Sequence, residues 1–307
     1  MPTSTVQEQV ARARSLAARL PQLVDESRRM ATSLRSGLHG NRKVGPGSDF
    51  WQFRPYVTGD PASQIDWRRS ARSDHTFIRQ TEWQASHTYW IWPVMGSSMF
   101  WSSDPYISEK ADRALVLALA LADLLVGNGE TVGTFDGEHT RITSAHHLEK
   151  LAHAMLASPG AMTEVTATLQ PGRKHSVVVL SDFLEFAWPG SPLSQTLKFL
   201  TSSQNDGGLV QILDPAEVSP PFEGRVDLLD TRAKIVYRSE KFEDVRDGFE
   251  SRARLWRARI QDAARDNNWL YDRHITAESA NAALLTLYQH LNERQHHGIS
   301  RHSGTSA

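Results

Sequence analysis

The chain has 307 residues, with 34 basic and 35 acidic side chains, 39% hydrophobic residues and no cysteine. This composition is that of an ordinary globular protein and excludes wholesale disorder and fibrous architectures. The near-zero net charge excludes a whole-chain attraction to nucleic acid or anionic lipid, and the lack of cysteine excludes disulfides, thiolate metal sites and cysteine nucleophiles.

The first part of the chain predicts a helical and β-leaning region over residues 1–87. Residues 6–36 carry apolar side chains at helical spacing, interrupted by Pro21, which predicts two short helices or one kinked helix. Glycines between residues 37 and 47 predict turns. Residues 48–86 then mix aromatic and polar side chains, with a strand predicted over 76–81. The polar N-terminus lacks the apolar core of a secretory signal, which favours a cytoplasmic location.

From residue 88 the pattern alternates between strands and helices. Strands are predicted over 89–92, 131–135, 176–180 and 208–213, and helices over 111–126, 144–156 and 191–203. This alternation predicts an α/β domain over residues 88–295, with a mostly parallel sheet and helices on both faces. The run 176–180 is continuously apolar, which is typical of a strand covered on both sides. The most apolar helix, around 114–122, is far shorter than the roughly 20 residues that span a bilayer, so it is expected to be buried.

The end of the chain follows simpler patterns. Edge strands are predicted over 226–229 and 234–238, a charged helix over 242–267 and a closing helix over 279–293, with the segment 269–275 between the two helices left unassigned. Residues 296–307 predict a flexible tail.

The most informative motif spans residues 50–72 and reads FWQFRPYVTGDPASQIDWRRSAR. Asp60 follows a glycine and suits a turn in which its carboxylate accepts backbone N–H bonds. Asp66 can pair with neighbouring arginines, and Trp67 can bury its ring. We interpret the motif as a polar clamp that fixes this segment to the neighbouring domain, with a partner-docking surface as the alternative. The clamp residues are Arg54, Tyr56, Gly59, Asp60, Asp66, Trp67 and Arg72.

These residue types, at these spacings, resemble the signature of the bacterial DUF58 family. The resemblance continues through residues 212–217 and 222–224. It implies a von Willebrand A-like, Rossmann-like domain. It also implies work as a non-catalytic protein-binding module or adaptor for a MoxR-type AAA+ ATPase, in chaperone-like complex maturation. No nucleic-acid partner and no integral membrane segment are expected.

The resemblance also locates a degenerate metal site. The von Willebrand A-like site uses Asp-x-Ser-x-Ser after the first strand and a later Asp, which suits Mg²⁺ because that ion prefers oxygen ligands. Here Val94 and Gly96 replace the first two ligands, and Ser98 and Asp182 remain. Magnesium binding is therefore disfavoured and no cofactor is expected, and these four positions are predicted to form a protein-binding face. Asp182 has a structural alternative, in which it caps the following helix or pairs with an arginine.

The residues alone leave two other classes of function open. A hydrolase would use a pocket near Asp182, but the chain has no Gly-x-Ser-x-Gly elbow and no phosphate-binding glycine loop. A single-stranded nucleic acid could stack on the aromatic and arginine residues of 50–83, but acidic residues there nearly balance the arginines. We therefore predict that the protein is not an enzyme.

Overall fold

A computed structural model describes residues 3–38, 50–58, 60, 62–73, 75–81, 87–157, 165, 169, 175–184, 195–196, 198–200, 206–230 and 235–300. The chain forms two compact units, one of residues 1–39 together with 87–307 and one of residues 40–86. The sequence analysis placed a boundary after residue 87, and the units divide between residues 86 and 87. The N-terminal helix, however, belongs to the larger unit and not to the β-leaning segment that follows it.

Most of the longer described helices and strands match predicted ones. The helices are α1 (Thr3–Leu38), α2 (Trp67–Ser70), α3 (Lys110–Gly127), α4 (Leu148–Ala157), α5 (Pro215–Val218), α6 (Glu243–Arg265) and α7 (Ala280–Ser300). The strands are β1 (Phe50–Pro55), β2 (Phe77–Thr81), β3 (Thr88–Pro93), β4 (Thr131–Gly133), β5 (Arg141–Ile142), β6 (His175–Ser181), β7 (Asp206–Leu213), β8 (Val226–Asp230), β9 (Ile235–Ser239) and β10 (Leu270–Ile275). Of these elements, α2, α5, β1, β5 and β10 had no prediction. Within the helix predicted over 191–203, residues 195–196 and 198–200 are helical and the others lie outside the described residues.

The larger unit is built on a six-stranded sheet in the order β10-β7-β6-β3-β4-β5. Its strands pair in parallel except for β4 and β5, which are antiparallel. If these six strands are numbered 1 to 6 in chain order and the sheet is read from β5 to β10, the order is 3-2-1-4-5-6. This is the strand order of a doubly wound sheet. The predicted mostly parallel α/β sheet is confirmed. The strands predicted over 226–229 and 234–238 exist as β8 and β9, but they pair with each other as a separate sheet.

Alternate residues of β6 enter two different hydrophobic cores. Val178 and Leu180 pack with residues of α1, α3, α4 and α7, whereas Val177 and Val179 pack with Trp92 and with residues of α6. Both faces of the sheet are therefore covered, which explains why this strand has no polar alternation.

Helix α3 lies in the middle of the first core. Every residue from Lys110 to Val126 is buried except Arg113. A helix that is apolar on all sides must be enclosed by protein or lipid, and here α1, α4, α7 and the sheet enclose it. Among the described helices, none combines the length and the apolarity needed to cross a bilayer.

Helix α1 packs along α3 as one continuous helix that passes through the exposed Pro21. Its apolar face repeats at helical spacing and consists of Leu16, Leu20, Leu23, Val24 and Ala31. Ion pairs flank this face: Arg19 pairs with Asp112 at 3.1 Å and Arg35 pairs with Asp123 at 3.1 Å. At the other end of the chain, α7 runs to Ser300, so the predicted tail begins later than residue 296. Residues 301–307 lie outside the described residues.

We expect the substitution Asp112→Asn to stabilise the protein at alkaline pH. Burial raises the pKa of the Asp112 carboxyl to about 6, although Arg19 opposes the change. The folded state then holds this proton more tightly than the unfolded state, whose pKa is near 3.8, so stability is lost as the pH rises through about 6. At pH 8 the variant should be more stable than the wild type by up to about 3 kcal/mol, since the pKa difference of about two units, which already includes the attraction to Arg19, corresponds to roughly 1.4 kcal/mol per unit.

Urea unfolding of the wild type and of Asp112→Asn between about pH 4 and about pH 8 measures this difference. The gap should shrink toward zero near pH 4. A gap that does not change with pH would show that Asp112 does not titrate in this range.

Candidate functional site

The sheet reverses its order between β3 and β6, because the chain adds β4 and β5 on one side of β3 and β6, β7 and β10 on the other. In open α/β sheets ligands bind outside the carboxyl ends of the strands at such a point. Two segments meet there. The turn Ser97–Met99 follows β3, and Asp182 follows β6 and donates its backbone N–H to Met99 Sδ at 3.2 Å.

A buried lysine occupies this point of the sheet edge. Lys110, the first residue of α3, is 1% exposed, and its Nζ lies 2.9 Å from Asp182 Oδ2 and 2.6 Å from Glu217 Oε1. Burial by itself would lower the pKa of the ammonium, but the two carboxylates reverse this effect and raise the pKa above its ordinary value. Lys110 is therefore a permanent internal cation in the folded protein.

Helix α5 holds the second carboxylate in place. Asp214 begins this helix with a capping box: its side chain accepts from Ala216 N at 2.9 Å, and Glu217 Oε2 accepts from Asp214 N at 2.9 Å. Glu217 thus uses one oxygen for the cap and the other for Lys110. The ion pairs tie together the segments that follow β3, β6 and β7.

The four predicted metal-site positions lie at this edge, but they do not fit a divalent cation. Val94 and Gly96 offer no side-chain oxygen, and Val94 is buried. Asp182 Oδ2 accepts from the Lys110 ammonium, and Asp182 Oδ1 accepts from Leu184 N at 3.0 Å. The carboxylate therefore caps a turn and pairs with a lysine, where the sequence suggested a helix cap or an arginine. Within the described residues, no three His, Cys, Asp or Glu side chains are grouped to hold a metal.

An aromatic loop lies beside the internal cation. The Trp101 ring is 39% exposed, and its centroid is 5.8 Å from Lys110 Nζ. Ser102 Oγ donates within the loop to the carbonyls of Asp104 and Ile107, at 2.8 and 3.0 Å. Ser103 N donates to Asp214 Oδ2 at 2.9 Å, so the loop is also tied to the α5 cap. The loop therefore presents its aromatic side chains from a fixed backbone.

The sequence interpretation missed Lys110, Glu217 and Trp101 as site residues. A signal for Lys110 was present, because it is the one lysine at the start of a mostly apolar helix, and a charge there requires partners if that helix end is buried. Its partners, however, lie 72 and 107 residues away along the chain. Local patterns cannot identify contacts at that separation.

The smaller unit contains the residue 50–72 motif. Strands β1 and β2 pair in antiparallel fashion, and Ile65 bridges to Ile78 on β2. Arg54 forms a bidentate pair with Asp60 at 2.7 and 2.6 Å, and Asp60 also accepts from Val57 N at 2.9 Å. The predicted turn role of Asp60 is present, and Arg54 reinforces it.

The rest of the predicted clamp differs from the sequence interpretation. Asp66 caps α2 by accepting from the backbone N–H of Arg69 at 2.9 Å, and the guanidinium of Arg69 lies over the rings of Phe53 and Phe77. Trp67 is 67% exposed and does not bury its ring. The short helix α2 has no buried residue, which explains why its tryptophan faces solvent. Tyr56 and Arg72 are also exposed, and Gly59 lies outside the described residues.

We expect the substitution Arg54→Ala to raise the pKa of Asp60. Hydrogen bonds from Arg54 and from Val57 N lower this pKa to about 2. Without the guanidinium, the Asp60 carboxyl should titrate closer to its ordinary value of 3.8. Carboxyl-detected NMR titration measures the change, and the substitution Arg68→Ala at an exposed neighbour should leave it unaltered. An Asp60 pKa that stays near 2 in Arg54→Ala would assign the shift to the backbone alone.

The fold and the site together define a doubly wound α/β protein in which an internal lysine pairs with two carboxylates, Asp182 and Glu217, at the sheet edge. Residues 52–259 match the DUF58 family, whose description is "Protein of unknown function DUF58". The chain belongs to this family. The resemblance of residues 50–72 is thereby confirmed at the level of the family.

Relatives of the chain come from mycobacteria. It is 26% identical over 266 residues to the uncharacterized protein Rv1480 of Mycobacterium tuberculosis and to Mb1516 of Mycobacterium bovis, covering 76% of this chain and 81% of each relative. Two solved structures are similar. One is the conserved hypothetical protein BatB of Bacteroides thetaiotaomicron, with a TM-score of 0.42 and 15% identity, and the match covers 68% of this chain and 98% of that chain. The other is an aerotolerance-related membrane protein of Bacteroides fragilis, with a TM-score of 0.38 and 17% identity, and the match covers 68% of this chain and 100% of that chain.

Proposed function

We propose that the protein is a non-catalytic adaptor whose larger unit is a von Willebrand A-like domain, and that it works with a MoxR-type AAA+ ATPase in chaperone-like complex maturation. The observation that carries the proposal is the buried Lys110–Asp182–Glu217 cluster. It lies where related folds bind ligands, and it leaves neither Asp182 nor Glu217 free to bind a metal. Recognition there proceeds by shape, charge and hydrogen bonding.

The same cluster supports a binding role over the hydrolase alternative. A general acid or base must exchange a proton with substrate, and its pKa must lie near the working pH. The Asp182 carboxylate is buried, and both of its oxygens have partners within the protein. A group fixed in this way stabilises the loops and is poorly placed for proton transfer.

The smaller unit supports the docking interpretation of the family motif. Trp67 and Tyr56 are exposed, while the Arg54–Asp60 pair and the Asp66 cap fix the backbone that carries them. Exposed aromatic side chains on a fixed backbone are typical of interface centres, where tryptophan and tyrosine contribute most of the binding energy. We expect this unit to contribute a second contact to the partner.

The adaptor proposal is tested by affinity capture with the tagged full chain from its native cell, under mild conditions with nucleotide present. We expect mass spectrometry to identify a MoxR-type ATPase subunit in the retained fraction. The substitution Trp67→Ala should reduce its recovery, and Leu255→Ala, at an exposed residue of α6, should not. Recovery of no such subunit from cells that produce one would overturn the choice of partner.

A further inference from the structure

The carboxyl edge of the sheet has a charge that the whole chain does not have. The segments that follow β3, β4, β6, β7 and β10 are residues 94–110, 134–140, 182–184, 214–217 and 276–278. Lys110 is the basic residue in these segments, and eight residues are acidic: Asp104, Glu109, Asp136, Glu138, Asp182, Asp214, Glu217 and Glu278. The full chain, in contrast, has 34 basic and 35 acidic side chains. The edge is therefore an acidic face on a nearly neutral protein.

Ion pairs from the neighbouring helices do not cancel this charge. Arg19 of α1 pairs with Glu109, and Arg113 of α3 donates to the carbonyl of Thr276. Even with these two arginines and with Arg141, which begins β5 at the same edge, acidic side chains exceed basic ones by eight to four. An acidic or polyanionic ligand would be repelled, whereas a basic ligand would be attracted.

Apolar groups at the same edge are exposed to solvent. Trp101, Tyr106 and Leu184 lie in these segments and are 39%, 96% and 42% exposed, and they are three of the nine large hydrophobic residues exposed in the described part of the chain. Ser98 in the turn after β3 is 8% exposed, and its Oγ has no hydrogen-bond partner among the described residues. The edge thus combines apolar contact and negative charge with a buried hydroxyl whose hydrogen bond is unsatisfied within the described part of the chain.

We propose that this edge, which we call the acidic face, binds a basic segment of a partner protein in which arginine or lysine alternates with apolar residues. The exposed Trp101 ring offers a surface on which a guanidinium stacks, and arginine forms strong hydrogen bonds with carboxylates. In this proposal the partner contributes a cationic side chain to the acidic face. A site that held a metal ion would instead bind an acidic side chain of the partner. The proposal rests on the adaptor function and specifies the chemistry of its ligand.

The proposal is tested by fluorescence anisotropy with the full chain and two labelled synthetic peptides. One peptide consists of arginine, leucine and glycine, and the other has glutamate in place of every arginine. We expect the arginine peptide alone to bind, and its affinity to fall between about 0.05 M and about 0.3 M salt because surface charges are screened. Equal binding of both peptides, or binding of the glutamate peptide alone, would overturn the proposal.

Matched variants locate the binding. Trp101→Ala should weaken the arginine peptide about tenfold, and Asp104→Asn should weaken it several-fold at low salt. Because Trp101 also lies beside Lys110, Tyr106→Ala provides a second test at a residue that is almost fully exposed. Tyr237→Ala on β9 is the control and should bind as the wild type does. Unchanged affinity in both Trp101→Ala and Tyr106→Ala would place the peptide elsewhere and overturn the proposal.

The outcomes separate this proposal from the adaptor function on which it rests. If ATPase capture succeeds but is unaffected by Trp101→Ala and Tyr106→Ala, the adaptor function stands and the acidic face is not the docking site. If the arginine peptide binds the acidic face but no ATPase is captured, the face stands and the partner assignment fails.

Discussion

Replacement of Lys110 by methionine is expected to lower the free energy of unfolding by about 3–5 kcal/mol, because removing one partner from a buried ion pair leaves an uncompensated charge. The ammonium is 1% exposed and lies within 3 Å of Asp182 and Glu217. Methionine keeps the length of the side chain but cannot neutralise either carboxylate. Urea unfolding of Lys110→Met beside the wild type measures the loss.

The compensating variant separates charge from packing. In Lys110→Met combined with Asp182→Asn and Glu217→Gln, no buried charge is left unpaired, so most of the lost stability should return. Arg238→Met is the surface control, because Arg238 pairs with Asp227 at 2.8 and 3.0 Å but both side chains are about half exposed. Its unfolding midpoint should hardly move. A single Lys110→Met variant as stable as the wild type would show that Lys110 is not the internal cation of this edge.

The parts of the fold that sequence predicted are those set by local patterns. The apolar run of β6 and the apolar helix α3 each have a composition that only a two-sided or fully enclosed position satisfies, and the structure places them so. Helix α1 was predicted as a helix, yet its membership in the larger unit depends on pairs such as Arg35 with Asp123. Such a pair links residues 88 positions apart, and no local pattern specifies it.

The site was predictable only in its location. The family resemblance pointed to Ser98 and Asp182, and a parallel sheet does bring the ends of their strands to one edge. Lys110, which pairs with Asp182 and Glu217, lies one residue before the helix predicted over 111–126, and the apolarity of that helix gave no indication of its role. Trp67 shows the opposite difficulty: its size favours burial, but the four-residue α2 that carries it has no buried residue, and Trp67 is 67% exposed. Residue type predicts burial on average, and only packing decides a particular ring.

The substitution Gly207→Ala is expected to destabilise the protein by about 3 kcal/mol, because it overfills the closest approach between two central strands. Gly207 on β7 pairs with Val177 on β6. A Cβ atom there would overlap the Val177 carbonyl oxygen and lie 2.8 Å from ring atoms of Trp269. The carbonyl belongs to the sheet backbone and cannot move without disturbing the ladder, so the strain has no inexpensive relief.

The neighbouring Gly208 offers a matched control, since it lies on the same strand and is equally buried. Neither glycine has a positive φ, so alanine is compatible with both backbones. At Gly208 the nearest atom is Leu287 Cδ1 at 3.0 Å, the end of a flexible side chain that can rotate away. We therefore expect Gly208→Ala to change stability by less than about 1 kcal/mol. Urea unfolding of the two variants measures the contrast, and equal losses would mean that the backbone approach at Gly207 is not what excludes a side chain.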